Sequence, residues 1–587
     1  MTNIRLRALL SKRFHIPKEH SIQRAVSRFT SAEKTVFYLF TGIFFLSGVL
    51  LLLRVNNSFL VDVPINGGSI TEGVIGNPRF INPVLAISEA DKNLVSLVYS
   101  GLVRTNKNGE IVNDLAESVS LSPDNLTYTV VLRPDVTFQD ETVVTSDDIV
   151  FTIQKILDPG IKSPLFADFA GVTVSKVDER TVSFVLKQPF APFMNNLTVG
   201  VLPKHIWSAV TNDEFSFSQW NILPIGSGPY KVDSVTRDSA GIPNYYDLIP
   251  FKNYIDGRAY ISHFIFKFFP SETSLVDAFS SGDVQSLGGI SPEEALVLEK
   301  DGAKILSASL PRIFGVFFNQ NSNKALLDKS VRKALDLITP KQEIVDQVLG
   351  GFGSVIKGPM PPALMASENV PEQKLSRTER LETASSTLAK AGWVKNKSTG
   401  ILEKKSKTDT VKLSFSLSTS DNPDLRKVAE MLQKSWQELG AEVKISIYNS
   451  GDLNQNVIRP RHYEALLFGE VVGREADVYP FWHSSERNDP GLNIALYANK
   501  DVDKLLETAR SENNIDKRED LYRKFEETIR DDVPAVFIYS PGFIYIVPPT
   551  VRGMNLGKLG ATQDRFVDVR NWYIETNAVW NIFSKNS

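Results

Sequence analysis

Residues 411–447 read VKLSFSLSTSDNPDLRKVAEMLQKSWQELGAEVKISI and contain a complete strand–helix–strand unit. Apolar and polar residues alternate over the first seven positions, which is the pattern of a half-buried strand. Asn422 and Pro423 then provide a helix cap and a first helical residue, and Gly440 ends the helical repeat of apolar residues that follows. A second alternation after Gly440 predicts a parallel partner strand with a right-handed crossover. The stretch therefore predicts an α/β fold.

The same patterns predict further elements on both sides of this unit. A helix over Ser146–Leu157 opens with the capping sequence Thr145-Ser-Asp-Asp148, so we assign Asp147 and Asp148 to helix capping rather than to metal binding. The other predicted elements are strands at Leu126–Leu132, Thr181–Leu186, 536–540 and 543–547, a short amphipathic helix at Ser330–Leu337, and a lysine-rich surface loop at Lys395–Asp409.

Length and composition limit the classes of protein to consider. The 587 residues are 42% hydrophobic and 23% charged, which is typical of a globular protein. A chain of this size exceeds what one hydrophobic core usually serves, so two or three lobes are expected. The chain contains no cysteine, which excludes disulfides, thiolate metal sites, a lipid-modified cysteine and cysteine nucleophiles.

The N-terminal region predicts a membrane segment. Val36–Leu53 contains eighteen residues without a charge, and at about 1.5 Å per residue it would span roughly 27 Å. The first 35 residues carry eight basic and two acidic side chains, a net charge of +6, so this end is expected in the cytoplasm and the main body outside. No small-residue cleavage site follows the run, which favours an uncleaved anchor over a signal peptide. A buried core helix and an organellar transit peptide are the alternatives.

The remaining body offers no recognisable catalytic or metal motif. The six histidines have no metal-ligand spacing, and neither a P-loop, a G-x-G-x-x-G nor a G-x-S-x-G pattern is present. The residues after Arg54 are net acidic, which argues against a nucleic-acid partner. A binding protein is therefore favoured over an enzyme, and no cofactor or metal is expected.

Short motifs in a fixed order carry a resemblance to a known family. They lie at Asn82-Pro83, Val98–Val103, Asn108–Ala116, Leu121–Phe138, Ile225–Lys231, Gly282–Val284, Phe317–Asn319, Val331–Leu335 and Leu388–Trp393. In this order and spacing the chain resembles the family 5 extracellular solute-binding proteins, the oligopeptide and dipeptide receptors of ABC importers. Glu141 stands where the family usually has glycine, so the sequence predicts a turn that is built differently there.

The resemblance implies a periplasmic-binding-protein-like α/β fold, with two lobes joined by a hinge, an inserted third subdomain, and one transmembrane helix before them. The implied segments are a cytoplasmic basic segment at 1–35, the transmembrane helix at 36–54, a linker at 55–65, lobe I at 66–110, 201–310 and 537–587, the inserted subdomain at 111–200, and lobe II at 311–536.

The resemblance also implies a ligand site in Gly473–Ser485. Asp477 matches the aspartate that holds the N-terminal ammonium of a bound peptide in this family. Tyr479 and Trp482 are expected to line the cleft, and Arg474 to orient Asp477 or meet the peptide's C-terminal carboxylate. The alternatives are a loop-capping role for Asp477, core packing for both aromatic residues, and an exposed surface position for Arg474.

The implied function is that of a membrane-anchored receptor that binds peptides outside the cell and delivers them to ABC transporter permease subunits by lobe closure. We expect a monomer without enzymatic activity. Two alternatives stay open: a solute sensor coupled to a membrane signalling partner, and a receptor for a non-peptide solute such as a metal chelate or an oligosaccharide.

Overall fold

The computed structural model describes residues 19–362, 364, 375–405, 409–474, 476–582 and 584 of the chain. The chain forms two compact units. One unit joins the segment before Asn66 to the segment after Ile574, and the other is the body Asn66–Ile574.

The smaller unit consists of helices and one two-stranded sheet. Its helices are Glu19–Ser27 and Ser31–Phe59, and the strands Leu60–Pro64 and Thr576–Trp580 pair antiparallel. The backbone N–H of Thr30 donates to the Glu33 carboxylate at 2.8 Å, which caps the long helix. Within the described part of the chain, Ser31–Phe59 is the one helix that is long and apolar enough to cross a bilayer. It contains the predicted apolar run.

The strand–helix–strand unit of the body is confirmed. The helix Pro423–Leu439 connects the parallel strands Ser414–Ser420 and Glu442–Tyr448. The Asn422 side chain accepts a hydrogen bond from the Leu425 N–H, and Gly440 takes a left-handed φ of 110° at the helix end.

Two details of this region differ from the prediction. The strand begins at Ser414, and Thr410–Lys412 is a separate short strand that pairs with Leu402–Lys405. The predicted surface loop Lys395–Asp409 is therefore wrong in part, because Leu402–Lys405 also pairs with Val394–Lys395. Residues 406–408 lie outside the described residues.

A twelve-stranded mixed sheet carries both lobes of the body. Ten strands follow one another across it in the order Glu442–Tyr448, Ser414–Ser420, Ala465–Val471, Arg312–Phe318, Ala535–Val547, Ser286–Gly288, Ser69–Ile75, His263–Phe269, Pro243–Pro250 and Tyr230–Arg237. The other two strands, Lys304–Ser309 and Gly353–Val355, each pair with Ala535–Val547. The sequence predicted two strands near the C-terminus, but Ala535–Val547 is one continuous strand shared by the two halves of the sheet. We call the half from Ser286–Gly288 to Tyr230–Arg237 the first lobe and the half from Arg312–Phe318 to Glu442–Tyr448 the second lobe.

The chain crosses between the lobes at two adjacent places. One crossing precedes the strand Arg312–Phe318, and the other lies in the middle of Ala535–Val547. The Leu310 N–H donates to the Pro541 carbonyl at 3.3 Å, and the Ser540 hydroxyl donates to the Leu310 carbonyl at 3.0 Å. Because the crossings are bonded to each other, they form a two-stranded hinge.

A four-stranded antiparallel sheet forms the inserted subdomain. Its strands are Ala116–Leu121, Thr127–Leu132, Thr181–Val185 and Thr173–Lys176, and its main helix is Ser146–Leu157 as predicted. The predicted cap is confirmed because the Thr145 N–H donates to the Asp148 carboxylate at 2.8 Å. Glu141 takes a φ of 71°, the left-handed conformation that favours glycine.

The remaining helices cover the sheets and enclose the cores. The longer ones are Glu89–Val98, Glu272–Ser280, Pro292–Lys300, Lys329–Ile338, Lys341–Val348, Arg377–Lys390, Lys500–Ser511 and Ile515–Asp532. Lys329–Ile338 contains the predicted amphipathic helix, with its apolar face buried. One large core fills most of the first lobe and the inserted subdomain, a smaller core lies between the sheet and the helices Glu272–Ser280 and Pro292–Lys300, and two cores lie in the second lobe. The predicted segment boundaries of the lobes stay a prediction.

Candidate functional site

The segment expected to bind ligand lies at the end of a sheet strand. The strand Ala465–Val471 belongs to the second lobe, and the short helix Tyr479–Trp482 follows it. Loops at the carboxyl ends of strands commonly form the ligand sites of α/β proteins. Glu475, within the connecting loop, lies outside the described residues.

Asp477 is paired with an arginine. Its carboxylate accepts hydrogen bonds from the Arg510 Nε at 3.0 Å and from the Arg510 Nη2 at 2.6 Å. It also accepts the Tyr479 N–H at 3.2 Å, at the first residue of the short helix. The Asp477 side chain is 13% exposed. The carboxylate therefore has a charged partner inside the protein, and its predicted ligand-binding role stays a prediction.

Arg510 connects this loop with the inserted subdomain. Its guanidinium lies 3.9 Å from the ring centroid of Tyr479 and 5.6 Å from that of Phe190. Its carbonyl accepts the Ala191 N–H at 2.7 Å. Sequence reasoning missed Arg510. This arginine lies in a helix 33 positions after Asp477, and no pattern in the sequence indicates that the two side chains meet.

Arg474 pairs with a different carboxylate. Its Nε donates to Asp564 at 3.0 Å, and its Nη2 also contacts that carboxylate. Asp564 is buried and belongs to the first lobe, so this ion pair bridges the two lobes. In the described part of the chain, no hydrogen bond or ion pair joins Arg474 to Asp477.

The two aromatic residues have different environments. Tyr479 is half-buried and stacks on His483 with ring centroids 4.1 Å apart. Trp482 is 1% exposed and packs against the rings of Phe317 and Phe537 in a core of the second lobe. The structure therefore brings Tyr479 together with Asp477 around Arg510, while Trp482 has the contacts of a core residue.

A pocket of about 260 Å³ lies where Arg474 reaches the first lobe. Its walls come from the helix Glu89–Val98, the strand Val103–Thr105, and segments around Gly200 and Asp564. Asp477, Tyr479 and Trp482 do not line it. The first lobe and the inserted subdomain provide most of this wall, and Arg474 is the one second-lobe residue among the described lining residues. Because Arg474 reaches it from the opposite lobe, this pocket is the candidate ligand pocket.

Buried polar groups form one side of this pocket. Asp114 is 3% exposed, and burial raises the pKa of its carboxyl to about 7, although the Arg104 guanidinium and the Ser100 hydroxyl act in the opposite direction. Arg104 is itself paired with Asp256 at 2.7 Å. Sequence reasoning missed Asp114 as a pocket residue, although it lies within the motif Asn108–Ala116 that helped to identify the family.

No cluster of three or more histidine, aspartate or glutamate side chains with the geometry of a metal site occurs among the residues described here.

Comparison with known proteins gives consistent matches over most of the chain. A family model described as bacterial extracellular solute-binding proteins, family 5, matches residues 110–490. The oligopeptide-binding protein AppA of Bacillus subtilis is 28% identical over 500 residues, which cover 84% of this chain and 89% of that protein. The structure of B. subtilis AppA in complex with a nonapeptide aligns with a TM-score of 0.63 and 27% identity, over 87% of this chain and all of that one. The ABC transporter substrate-binding protein CtaP of Listeria monocytogenes aligns with a TM-score of 0.71 and 26% identity, over 87% and 99% of the two chains.

Proposed function

Because this chain belongs to the bacterial extracellular solute-binding proteins of family 5, we propose that it binds peptides outside the cytoplasm and delivers them to an ABC permease. One observation carries the proposal: Arg474 of the second lobe reaches the wall of a pocket in the first lobe, and its ion pair with Asp564 bridges the lobes there. A ligand in such a pocket contacts both lobes at once, so its binding energy favours the closed arrangement. The similarity to peptide-binding relatives supports a peptide as the ligand.

Lobe closure is the proposed mechanism. The paired crossings at Leu310 and Pro541 concentrate the backbone connection between the lobes in one narrow hinge, which supports a hinge motion. Since the chain has no cysteine, cysteines at the exposed positions Lys187 and Lys524 would be the only labelling sites. Pulsed electron paramagnetic resonance between spin labels at these positions should show a new distance when peptide is added. An unchanged distance distribution at saturating peptide would contradict the closure mechanism.

Asp477 is proposed to receive the peptide's N-terminal ammonium, with Tyr479 beside it and Trp482 supporting the loop from the core, while Arg474 of the same loop is paired with Asp564. The ammonium would have to compete with the Arg510 guanidinium for the Asp477 carboxylate. Substituting Asp477→Asn should weaken the binding of a free peptide more than that of its N-acetylated form. Equal weakening of both peptides would exclude the ammonium contact.

Membrane anchoring is proposed for the helix Ser31–Phe59. The Trp580 indole donates to the Asn56 side chain at 2.8 Å, which puts this ring about 4.5 Å beyond the end of the apolar run at Leu53. That level corresponds to the headgroup region, where tryptophan is enriched. Single cysteines at Arg28 and Asn57 test the topology with a membrane-impermeant maleimide. We expect labelling of the Asn57 site on intact cells and of the Arg28 site only after permeabilisation, and release of the protein from membranes by carbonate would exclude the anchor.

The central test of the function is ligand identification. Native mass spectrometry of the full chain purified in detergent should reveal co-purified peptides, and calorimetry should measure their rebinding. Loss of cellular peptide uptake on deletion of the receptor would support import. Retained uptake together with a lost cellular response to peptide would favour the sensor instead.

A further inference from the structure

The charged side chains in the pocket wall are not balanced. They are Lys92, Arg104, Asp114, Arg474, Asp564 and Arg570. Arg474 is paired with Asp564, and Arg104 is paired with Asp256 behind the wall. Among the described residues of the wall, these two ion pairs leave Lys92 and Arg570 as cations and Asp114 as the one remaining carboxyl group.

Neither remaining cation has an acidic partner in the described part of the chain. Lys92 is an exposed residue of the helix Glu89–Val98, which forms part of the pocket wall. Arg570 donates a hydrogen bond from Nη1 to the backbone carbonyl of Asp256, which orients its guanidinium but leaves its full charge uncompensated. Two cations held near a partly enclosed cavity attract an anion more strongly than they would in open water.

Asp114 provides only part of the missing negative charge. It faces Arg104, Asp256 and Arg133 electrostatically, and it lies beside Tyr254 and the Ser100 hydroxyl. Burial nevertheless raises its pKa to about 7, so a substantial fraction of the molecules carry a neutral carboxyl at neutral pH. The described residues of the pocket thus carry a net positive charge, and this charge increases as the pH falls.

We propose that this pocket binds a carboxylate of the ligand through Lys92 and Arg570, and that the receptor therefore prefers ligands with an accessible acidic group. The inference rests on the proposed peptide-binding function and specifies its substrate class. In a peptide, the carboxylate is either an acidic side chain or the C-terminus. A volume of about 260 Å³ suits one such group with its immediate neighbours rather than a whole long peptide.

The test compares peptides that differ only in this charge. The probes are alanine pentapeptides that carry glutamate or glutamine at each position in turn, each with a free or an amidated C-terminus. Calorimetry with the full chain in detergent should show at least tenfold weaker binding when the contacting carboxylate is replaced by an amide. Loss of affinity on amidation of the C-terminus identifies the C-terminus as the contacting carboxylate. Loss of affinity on a glutamate-to-glutamine change identifies a side-chain carboxylate instead.

Variants of the pocket residues show whether the pocket causes the preference for acid over amide peptides. The double variant Lys92→Gln with Arg570→Gln should bind the acid and amide forms equally, while Lys300→Gln, an exposed lysine that does not line the pocket, should keep the preference. Lys92→Gln alone changes an exposed side chain and should reduce the preference without affecting the fold, which circular dichroism checks. In the wild type the preference should grow from pH 8 to pH 6, and Asp114→Asn should remove this dependence.

Two results would overturn the inference, and they differ from failure of the function. Equal binding of acid and amide peptides by the wild type would refute the carboxylate site while leaving peptide binding intact. An unchanged preference in the double variant would refute the assignment to Lys92 and Arg570. Failure of every peptide to bind would refute the proposed function and this inference with it.

Discussion

The strongest prediction about stability concerns the buried carboxyl of Asp114. Its folded-state pKa of about 7 lies well above the ordinary value of 3.8. The folded protein therefore holds a proton on Asp114 at pH values where the unfolded chain has released it. Stability must decline as the pH rises through this interval and level off above the folded-state pKa.

The size of the effect follows from proton linkage. With pKa values of 3.8 and about 7, the contribution of this one group to the free energy of unfolding falls by about 2–3 kcal/mol between pH 5 and pH 8. Asp114→Asn keeps the shape of the side chain but cannot ionise. The variant should therefore gain about 2–3 kcal/mol relative to the wild type on going from pH 5 to pH 8.

Equilibrium urea unfolding of both proteins at several pH values measures this difference. Only the pH dependence of the difference in unfolding free energy is relevant, because replacing the carboxyl by an amide also changes pH-independent contacts of the side chain by a constant amount. The matched control is Asp124→Asn: the Ser122 hydroxyl and the Leu126 N–H lower the pKa of Asp124, so it stays ionised from pH 5 to pH 8. Parallel stability curves for the wild type and Asp114→Asn over this interval would show that Asp114 is not a buried group of raised pKa.

Three further substitutions test other parts of the structure. Arg565→Met leaves the Glu72 carboxylate buried without its charged partner and should destabilise the protein by about 3–5 kcal/mol in thermal or urea unfolding. A loss of less than about 1 kcal/mol would contradict the assignment of a buried ion pair. Glu141→Gly removes the strain of a side chain on a left-handed backbone and should stabilise the folded protein by roughly 0.5–1 kcal/mol. The control Glu519→Gly, at an exposed helical position, should destabilise it by about 1 kcal/mol. Gly440→Ala puts a side chain on a residue with φ of 110° and should destabilise by more than about 1 kcal/mol, and an unchanged unfolding midpoint would contradict the left-handed helix end.

Elements determined by neighbouring residues could be predicted from the sequence. The helix Pro423–Leu439 has its cap, its proline and its terminal glycine within the same stretch as its apolar repeat, so every signal is local. The loop prediction before it failed because Leu402–Lys405 is short and rich in lysine, and only its pairing with Val394–Lys395 and Thr410–Lys412 makes it a strand.

The turn at Glu141 could be predicted only in part. The sequence identified an unusual residue for the position and predicted a different turn. The structure has Glu141 itself in the left-handed region, so backbone strain accompanies the substitution of the usual residue. Contacts within the turn hold Glu141 in this conformation, because its N–H donates to the Phe138 carbonyl and closes the turn.

The candidate site could be predicted only in part, because its chemistry depends on partners that are distant in the sequence. The segment around Asp477 could be identified from its motif, but Arg510 and Asp564 reach it from 33 and 90 positions away along the chain. Such pairs follow from the packing of helices and lobes, which a single sequence does not specify. The pocket itself is assembled from several separate segments, so its residues share no motif.

The internal pairing of charges bears on which end of a ligand determines affinity. An ammonium group gains little by approaching Asp477, because the carboxylate already receives hydrogen bonds from the Arg510 guanidinium and the Tyr479 N–H, and these contacts must be loosened first. A carboxylate that approaches Lys92 and Arg570 breaks no ion pair among the described residues and neutralises charge that the folded protein leaves uncompensated. The acidic end of a peptide should therefore contribute more to its affinity than the ammonium end, which is the reverse of what the motif around Asp477 alone would indicate.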